Sequence, residues 1–354
     1  MPVYYNEKTK KYYCAFYYTD WQGIRRKKKK EGFSLSREAK AFEQDFLNKA
    51  AGDCSMKFSD LCAYYLEDCS KRQKPTTTAS KKYIFSNQFL PVFGDMPLND
   101  ITPVVIRKWQ NDMLNSDAGY SPTYLHMLNN VLSAVFNYAV KYYKLSTNPV
   151  KLAGKIGELR AHRLDFWTVE EFNSFIAVVD DPLYKTAFFT LFYTGCRAGE
   201  LLALSVDDYN ANDKTLNINK NLAVIGGQEY ITTPKTKKSK RVIQLPDKLC
   251  SMLNLYIKTL YEPSTSERLF PTLNKFNLRR QLENGIKKAG VKRIRLHDFR
   301  HSHASLLIEL NFPPLAISER LGHEDIKTTL QIYAHLYPNK GNEIAQQLNK
   351  FIID

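Results

Sequence analysis

Four short stretches carry side chains that could grip an anion, move a proton and attack an electrophile. They are TGCRAGELLAL (194–204), TPKTKKSKR (233–241), LHDFRHSHASLL (296–307) and LGHEDIKTTLQIYAHL (321–336). Arginine supplies a planar, permanently charged fork that matches the paired oxygens of a phosphate or carboxylate. His297 and Arg300 are three residues apart, so one helical face presents both. Glu200 lies three beyond Arg197 and can brace its guanidinium. His323 follows Gly322, where a helix should end. Ile326, Leu330, Tyr333 and Tyr337 fall at core spacing, so Tyr333 taken alone reads as a packing residue. HDFRH (297–301) mimics the HExxH zinc motif. Aspartate is shorter than the glutamate that motif uses as a base, and an arginine between the ligands would repel a dication. Neither a metal nor a cofactor is expected.

In this order and near these separations, the stretches resemble the signature of the tyrosine recombinase, or phage integrase, family. The resemblance is carried by Arg197 in RAGE, Lys235 in the second stretch, His297 and Arg300 as HxxR, His323 after Leu-Gly, and Tyr333, and it covers roughly residues 165–340. It implies DNA cleavage and rejoining with Tyr333 as the nucleophile, through a 3′-phosphotyrosyl bond and a free 5′ hydroxyl. Arg197 and Arg300 would hold the non-bridging oxygens, His297 would accept and return a proton, and His323 would bond the scissile phosphate. Glu200 would support Arg197. Lys235 would protonate the leaving 5′ oxygen; the residues alone leave Lys237, Lys238 and Lys240 as rivals, and the family pattern selects Lys235. The use of a phenol is chemically sound. Its pKa is about 10, against roughly 16 for water, so a phosphotyrosyl ester stays open to attack by a DNA hydroxyl without ATP. His301, His303 and His335 read as packing or surface residues.

The elements that must position these groups form a multidomain, mainly α chain with small β-sheets. Residues 1–52 predict a three-stranded sheet closed by a helix capped at Ser36, and resemble the arm-type DNA-binding domain of integrases from phages and conjugative transposons. The basic run Arg25, Arg26, Lys27, Lys28, Lys29, Lys30 lies on its third strand and suits phosphate contact. Residues 56–145 predict a helical bundle, with one helix over Ser80–Phe89 ending near Pro91, and Thr102-Pro103 and Ser121-Pro122 as helix starts. FGDMPLNDIT and FNYAVKYYKLSTNPV within and after it resemble the family's core-binding domain. Residues 146–164 predict a linker, and 165–354 a mixed α+β catalytic domain with a C-terminal tail, which docks in cis or on a neighbouring protomer.

Composition agrees with that partner class. Fifty-one basic against 36 acidic residues give a net charge of +15, which favours a polyanion. The six cysteines match no disulfide or zinc framework and are expected reduced. No apolar run reaches the ~18 residues of a membrane span, and MPVYYNEKTK lacks a signal-peptide core. The expected protein is a cytoplasmic, DNA-associated homo-tetramer on core and arm attachment sites, integrating and excising a mobile element with accessory DNA-bending or excision factors. A type IB topoisomerase-like relaxing enzyme and a non-catalytic DNA-binding regulator are the competing readings.

Overall fold

The computed structural model of the protein describes residues 3–7, 9–19, 25–51, 56–159, 165–234, 237–260, 264–327, 329–330 and 332. The chain is mainly helical with small antiparallel sheets, and it divides into two compact units, 1–161 and 162–354.

The first unit opens with an antiparallel sheet of β1 (Val3–Asn6), β2 (Lys11–Thr19) and β3 (Arg25–Phe33), in the order β1-β2-β3, followed by α1 (Ser36–Ala51). Strand alternation sorts the side chains. Cys14 and Phe16 are buried with Ala39 of α1, among Val3, Tyr12, Phe33, Phe42 and Phe46. Tyr13, Ala15 and Tyr17 therefore face away, opposite Glu31, Lys29 and Lys27. Ser36, predicted as the cap, is instead the first residue of α1. The Glu38 carboxylate does the capping, accepting from the N–H groups of Ser34 and Leu35 at 3.2 Å each.

Further along are α2 (Phe58–Arg72), α3 (Pro75–Ile84), α4 (Leu90–Phe93), α5 (Pro103–Leu114), α6 (Pro122–Tyr142) and α7 (Pro149–Ala153). The predicted Ser80–Phe89 helix begins earlier, at Pro75, and Pro91 does not end it. A π-helical turn, Phe85–Phe89, intervenes, and the Leu90 N–H reaches back five residues to the Phe85 carbonyl. Widening the coil there lets the chain run on into a proline-containing turn. Thr102 and Ser121 cap α5 and α6 as predicted, accepting from Val105 and Tyr124 at 3.4 and 3.2 Å. The stretch predicted as linker begins as packed structure: α7 is capped by Asn148, and Val150, Ala153 and Ile156 are buried with the helices. Pro149 is the first residue of this helix, and Gly154 and Gly157 follow it at positive φ.

The second unit contains α8 (Val169–Ala177), α9 (Pro182–Thr194), α10 (Ala198–Ala203), α11 (Asp247–Ile257), α12 (Lys275–Ala289), α13 (Asp298–Glu309) and α14 (Pro314–Leu321). Its strands are β4 (Tyr209–Asn210), β5 (Thr215–Ile218), β6 (Asn221–Ile225), β7 (Gln228–Thr232) and β8 (Arg241–Gln244). They pair as a β4-β5-β8 sheet and a β6-β7 hairpin turned at Gly226-Gly227. Thr168 and Glu171 start α8 with a reciprocal capping box. Phe172, Phe175, Phe188, Phe192 and Phe299 fill the core between α8, α9 and α13. Among the described residues no helix is long and apolar enough to cross a membrane.

Candidate active site

Arg197 stands at the N-cap of α10, just after Gly195 has ended α9 in the left-handed conformation, φ 63°. Glu200, one turn on, is buried at 2% exposure. Its Oε1 accepts from Arg197 Nη1 at 2.6 Å, and its Oε2 accepts from the Arg197 N–H at 3.0 Å. The brace predicted from i, i+3 spacing is therefore made. Burial alone would raise the Glu200 carboxyl, but Arg241 and Arg197 outweigh it and hold it below the usual range.

Arg300 lies inside α13 at 3% exposure. Its Nη1 donates to the Gly195 carbonyl at 3.0 Å and its Nη2 to the Leu321 carbonyl at 2.6 Å. A buried guanidinium thus ties the end of α9 to the end of α14, satisfying carbonyls that helix termini leave unpaired. Gly195 is required for this approach: a Cβ there would sit 2.6 Å from Leu321 Cδ2 and 2.8 Å from His303 Cδ2. Burial, with Arg197 and Arg241 nearby, pushes Arg300 down to about 9, which leaves it charged at neutral pH.

The two candidate imidazoles flank these arginines. His297 is the N-cap of α13, and its ring meets His301 edge-on at 5.3 Å. Burial, then His301 and Arg300, lower its pKa, although the residue as a whole is exposed, which tempers the shift. His323 follows Gly322, the left-handed cap of α14. Its Nδ1 lies 2.8 Å from Thr329 Oγ1. Burial, then Arg300 and Arg197, push it down to about 3. Both imidazoles are neutral at pH 7 and sit within the field of the same two guanidiniums. Arg197, Arg300, His297, His323 and Glu200 are brought together; Lys235 and Tyr333 lie outside the described residues.

Several supporting residues stand outside the sequence-predicted set. Asp298, 1% exposed, accepts from Arg295 Nε and Nη2 at 3.0 Å each and from its N–H at 2.7 Å, fixing the turn before His297. Arg320 donates to His303 Nε2 at 3.0 Å. Arg241 donates to Glu200 Oε2 at 3.0 Å, across 41 residues of sequence. An acidic residue with two oxygens and one predicted partner was the available signal for a second cation. Ile326 and Leu330, on the predicted core stripe, are instead 37% and 45% exposed, while Thr329 and Ile332 are buried. Lys238 and Lys240 are exposed, and Lys238 Nζ donates to the Glu324 carbonyl at 3.3 Å. Lys237 opens a short 3-10 turn with Lys238 and Ser239. A cavity of about 700 Å³ adjoins His297, lined by Lys275, Arg279, Arg293 and Arg295 among others. Among the described residues no three His, Cys, Asp or Glu side chains are grouped as metal ligands.

In the sheet of the first unit, Arg25 to Lys30 are all exposed, but on alternate faces. Arg25 and Lys27 lie over the Tyr17 ring at 4.6 and 5.9 Å, and Lys29 over Tyr13 at 4.8 Å, on the face turned from α1. Lys28 lies over Phe46 of α1, at 5.6 Å.

The phage integrase family model matches residues 162–340, its N-terminal SAM-like domain 57–114, and an arm DNA-binding domain 2–50. The ICEBs1 integrase of Bacillus subtilis strain 168 is 31% identical over 339 residues, covering 90% of each chain. The integrase of Staphylococcus phage L54a is 30% identical over 291 residues, covering 69% of this chain and 82% of its own. Among solved structures, the Tn1549 transposon integrase in complex with a circular intermediate DNA superposes with a TM-score of 0.69 at 18% identity, over 84% of this chain and all of that one. A lambda integrase tetramer bound to a Holliday junction gives 0.60 at 18% identity, over 93% of this chain and 94% of that one. The chain belongs to the phage integrase family, the tyrosine recombinases. It is a site-specific DNA recombinase.

Proposed function

We propose that this recombinase cuts with Tyr333, whose phenol oxygen attacks the scissile phosphorus and expels the 5′ oxygen, leaving a 3′-phosphotyrosyl bond. Arg197 and Arg300 hold the non-bridging oxygens as charge builds on them. His297, neutral at working pH, accepts the phenol proton and returns it when the phosphotyrosyl bond is broken. His323 donates to the phosphate, Lys235 protonates the departing 5′ oxygen, and Glu200 fixes Arg197. The observation that carries this reading is the convergence of two guanidiniums and two neutral imidazoles around the ends of α9, α13 and α14.

We assign an arm-binding domain to 1–52, a helical core-binding domain to 56–145, a linker to 146–164 and a catalytic domain with its tail to 165–354; family matches over 2–50, 57–114 and 162–340 support that order. Arg25, Lys27 and Lys29, with Tyr13 and Tyr17, form the face best suited to phosphates of arm-type sites. Lys237, Lys238 and Lys240 serve the core site. The chain acts as a homo-tetramer on attachment DNA, in the cytoplasm, with accessory bending or excision factors.

A nicked duplex carrying the attachment sequence, identified by sequencing the junctions of the integrated element, tests this. The nick lets the 5′ product diffuse away, so the covalent adduct accumulates. Peptide mapping should place it on Tyr333, and Tyr333→Phe should abolish it; an adduct mapped to any other residue removes the assignment. Arg197→Ala or Arg300→Ala should slow cleavage by roughly 100- to 1,000-fold. Relaxation of supercoiled DNA lacking the attachment sequence would favour the topoisomerase reading.

A further inference from the structure

We propose that Arg241 is a positioning residue of the recombination site, whose guanidinium fastens the Glu200–Arg197 brace to the loop after β7 and to the C-terminal end of α14. The inference rests on the catalytic reading above and extends it to a residue outside the family signature.

Three separate segments meet at this side chain. Its Nη2 donates to Glu200 Oε2 at 3.0 Å, its Nη1 to the Ser239 carbonyl at 3.0 Å, and its Nε to the Arg320 carbonyl at 2.8 Å. Two of these segments carry a candidate site residue: α10 follows Arg197, and His323 lies three residues past Arg320. The packing at this junction leaves no slack. A Cβ on Gly322 would stand 2.8 Å from the Lys238 carbonyl oxygen and 3.1 Å from Arg241 Cδ. Glycine at that position, φ 68°, lets loop and helix end close together.

Exposure separates Arg241 from Arg197, the fork whose brace it holds. The Arg197 side chain is 33% exposed and can reach a phosphate. The Arg241 side chain is 6% exposed, with both its terminal nitrogens and Nε engaged by protein acceptors. It acts through its neighbours. With Oε2 shared between Arg241 and the Arg197 N–H, the Glu200 carboxylate has one orientation, and the Oε1 that orients the Arg197 fork is fixed with it. A lysine keeps the charge but presents a single nitrogen, so it cannot span three acceptors set around a planar fork.

The test uses the full chain and four proteins: unaltered, R241K, E200Q and R241K/E200Q. Cleavage rate constants are measured on the nicked attachment duplex at saturating protein, and Kd by gel shift on the same duplex. R241K should cut at least about tenfold more slowly with Kd changed less than about threefold, the split of a group that serves the transition state and not binding. Adding E200Q to R241K should cost far less than E200Q does in the unaltered chain, because the two act as one unit. Cleavage by R241K at the unaltered rate, or strictly multiplicative losses, overturns the proposal, as does a loss that follows DNA affinity alone. If R241K/E200Q fails to fold, R241K and its Kd-against-rate split still decide. An unaltered chain that forms no adduct removes the catalytic reading and this inference together; an adduct from it with an unimpaired R241K removes this inference alone.

Discussion

Buried charge sets the behaviour of single residues at this site. Burial, then Arg320, push His303 down to about 3, and the same sign holds for His297 and His323. A free histidine titrates near ~6.5. Above that pH the folded and unfolded chains hold equal numbers of protons on these groups. Below it the unfolded chain takes up protons that the folded one refuses, so stability falls as pH drops from about 6.5 towards the lowered values. A fully buried histidine such as His303 contributes a slope of up to ~1.4 kcal/mol per pH unit, and the exposed His297 less. His303→Gln keeps an acceptor for Arg320 and should flatten melting temperature against pH between 7 and 5. For His297 the lowered pKa means a base still free to accept below ~6.5. The acid limb of kcat/KM, which reports the free enzyme, should therefore lie below the ordinary histidine range; a limb at or above it removes His297 as the base. Contacts made within one helical turn were readable from spacing: Glu200 on Arg197 was, and Arg300 beside His297 was. Arg241 was not, because its carboxylate partner lies 41 residues away and only folding joins them.

At the level of elements, helix ends position the chemistry, and glycine permits two of those ends to touch. Gly195 and Gly290 both cap helices at positive φ, 63° and 66°, but a Cβ at Gly290 meets nothing within 4 Å. Alanine at either position carries a left-handed backbone cost of about 1–2 kcal/mol. Gly195→Ala should lose more than Gly290→Ala in thermal melts, because it also drives into Leu321 and His303. It should also slow cleavage at temperatures where both variants are folded, since its carbonyl anchors Arg300; equal melts and equal rates would show that the close approach has no function. Proline-led helix starts at Pro103 and Pro122 were legible because a cap and its proline are adjacent. The π turn before Pro91 was not: a proline after an apolar helix reads as a stop, and only the packing of Phe85, Phe89 and Phe93 into the core keeps the chain coiled through it. The stripe of Ile326 and Leu330 failed for a related reason. Spacing identifies an apolar face but not which side of the helix has a partner.

Across the whole molecule, a surplus of 15 positive charges favours a polyanion, and the salt dependence of that affinity counts the phosphates neutralised. Where those charges lie decides what each contributes. Replacing Arg25, Lys27 and Lys29 with alanine and replacing Arg26, Lys28 and Lys30 with alanine remove the same charge. The first set should weaken arm-site binding more, and should reduce the slope of log affinity against log salt by about 0.9 for each phosphate no longer neutralised. Titrations at three salt concentrations distinguish the sets, and equal slopes would assign the strand no preferred face. Charge and composition pointed to the partner class, and motif order to the family. The division of one basic run between two faces required the register of β2 on β3.

Arg300 has a wider implication. Its plane is moored to two carbonyls of its own backbone, those of Gly195 and Leu321. A guanidinium tethered in this way does not swing out to capture an arriving anion; the anion must come to it. The positions of this side chain before and after substrate capture should superimpose, so whatever switches the recombinase on has to move some other group into place.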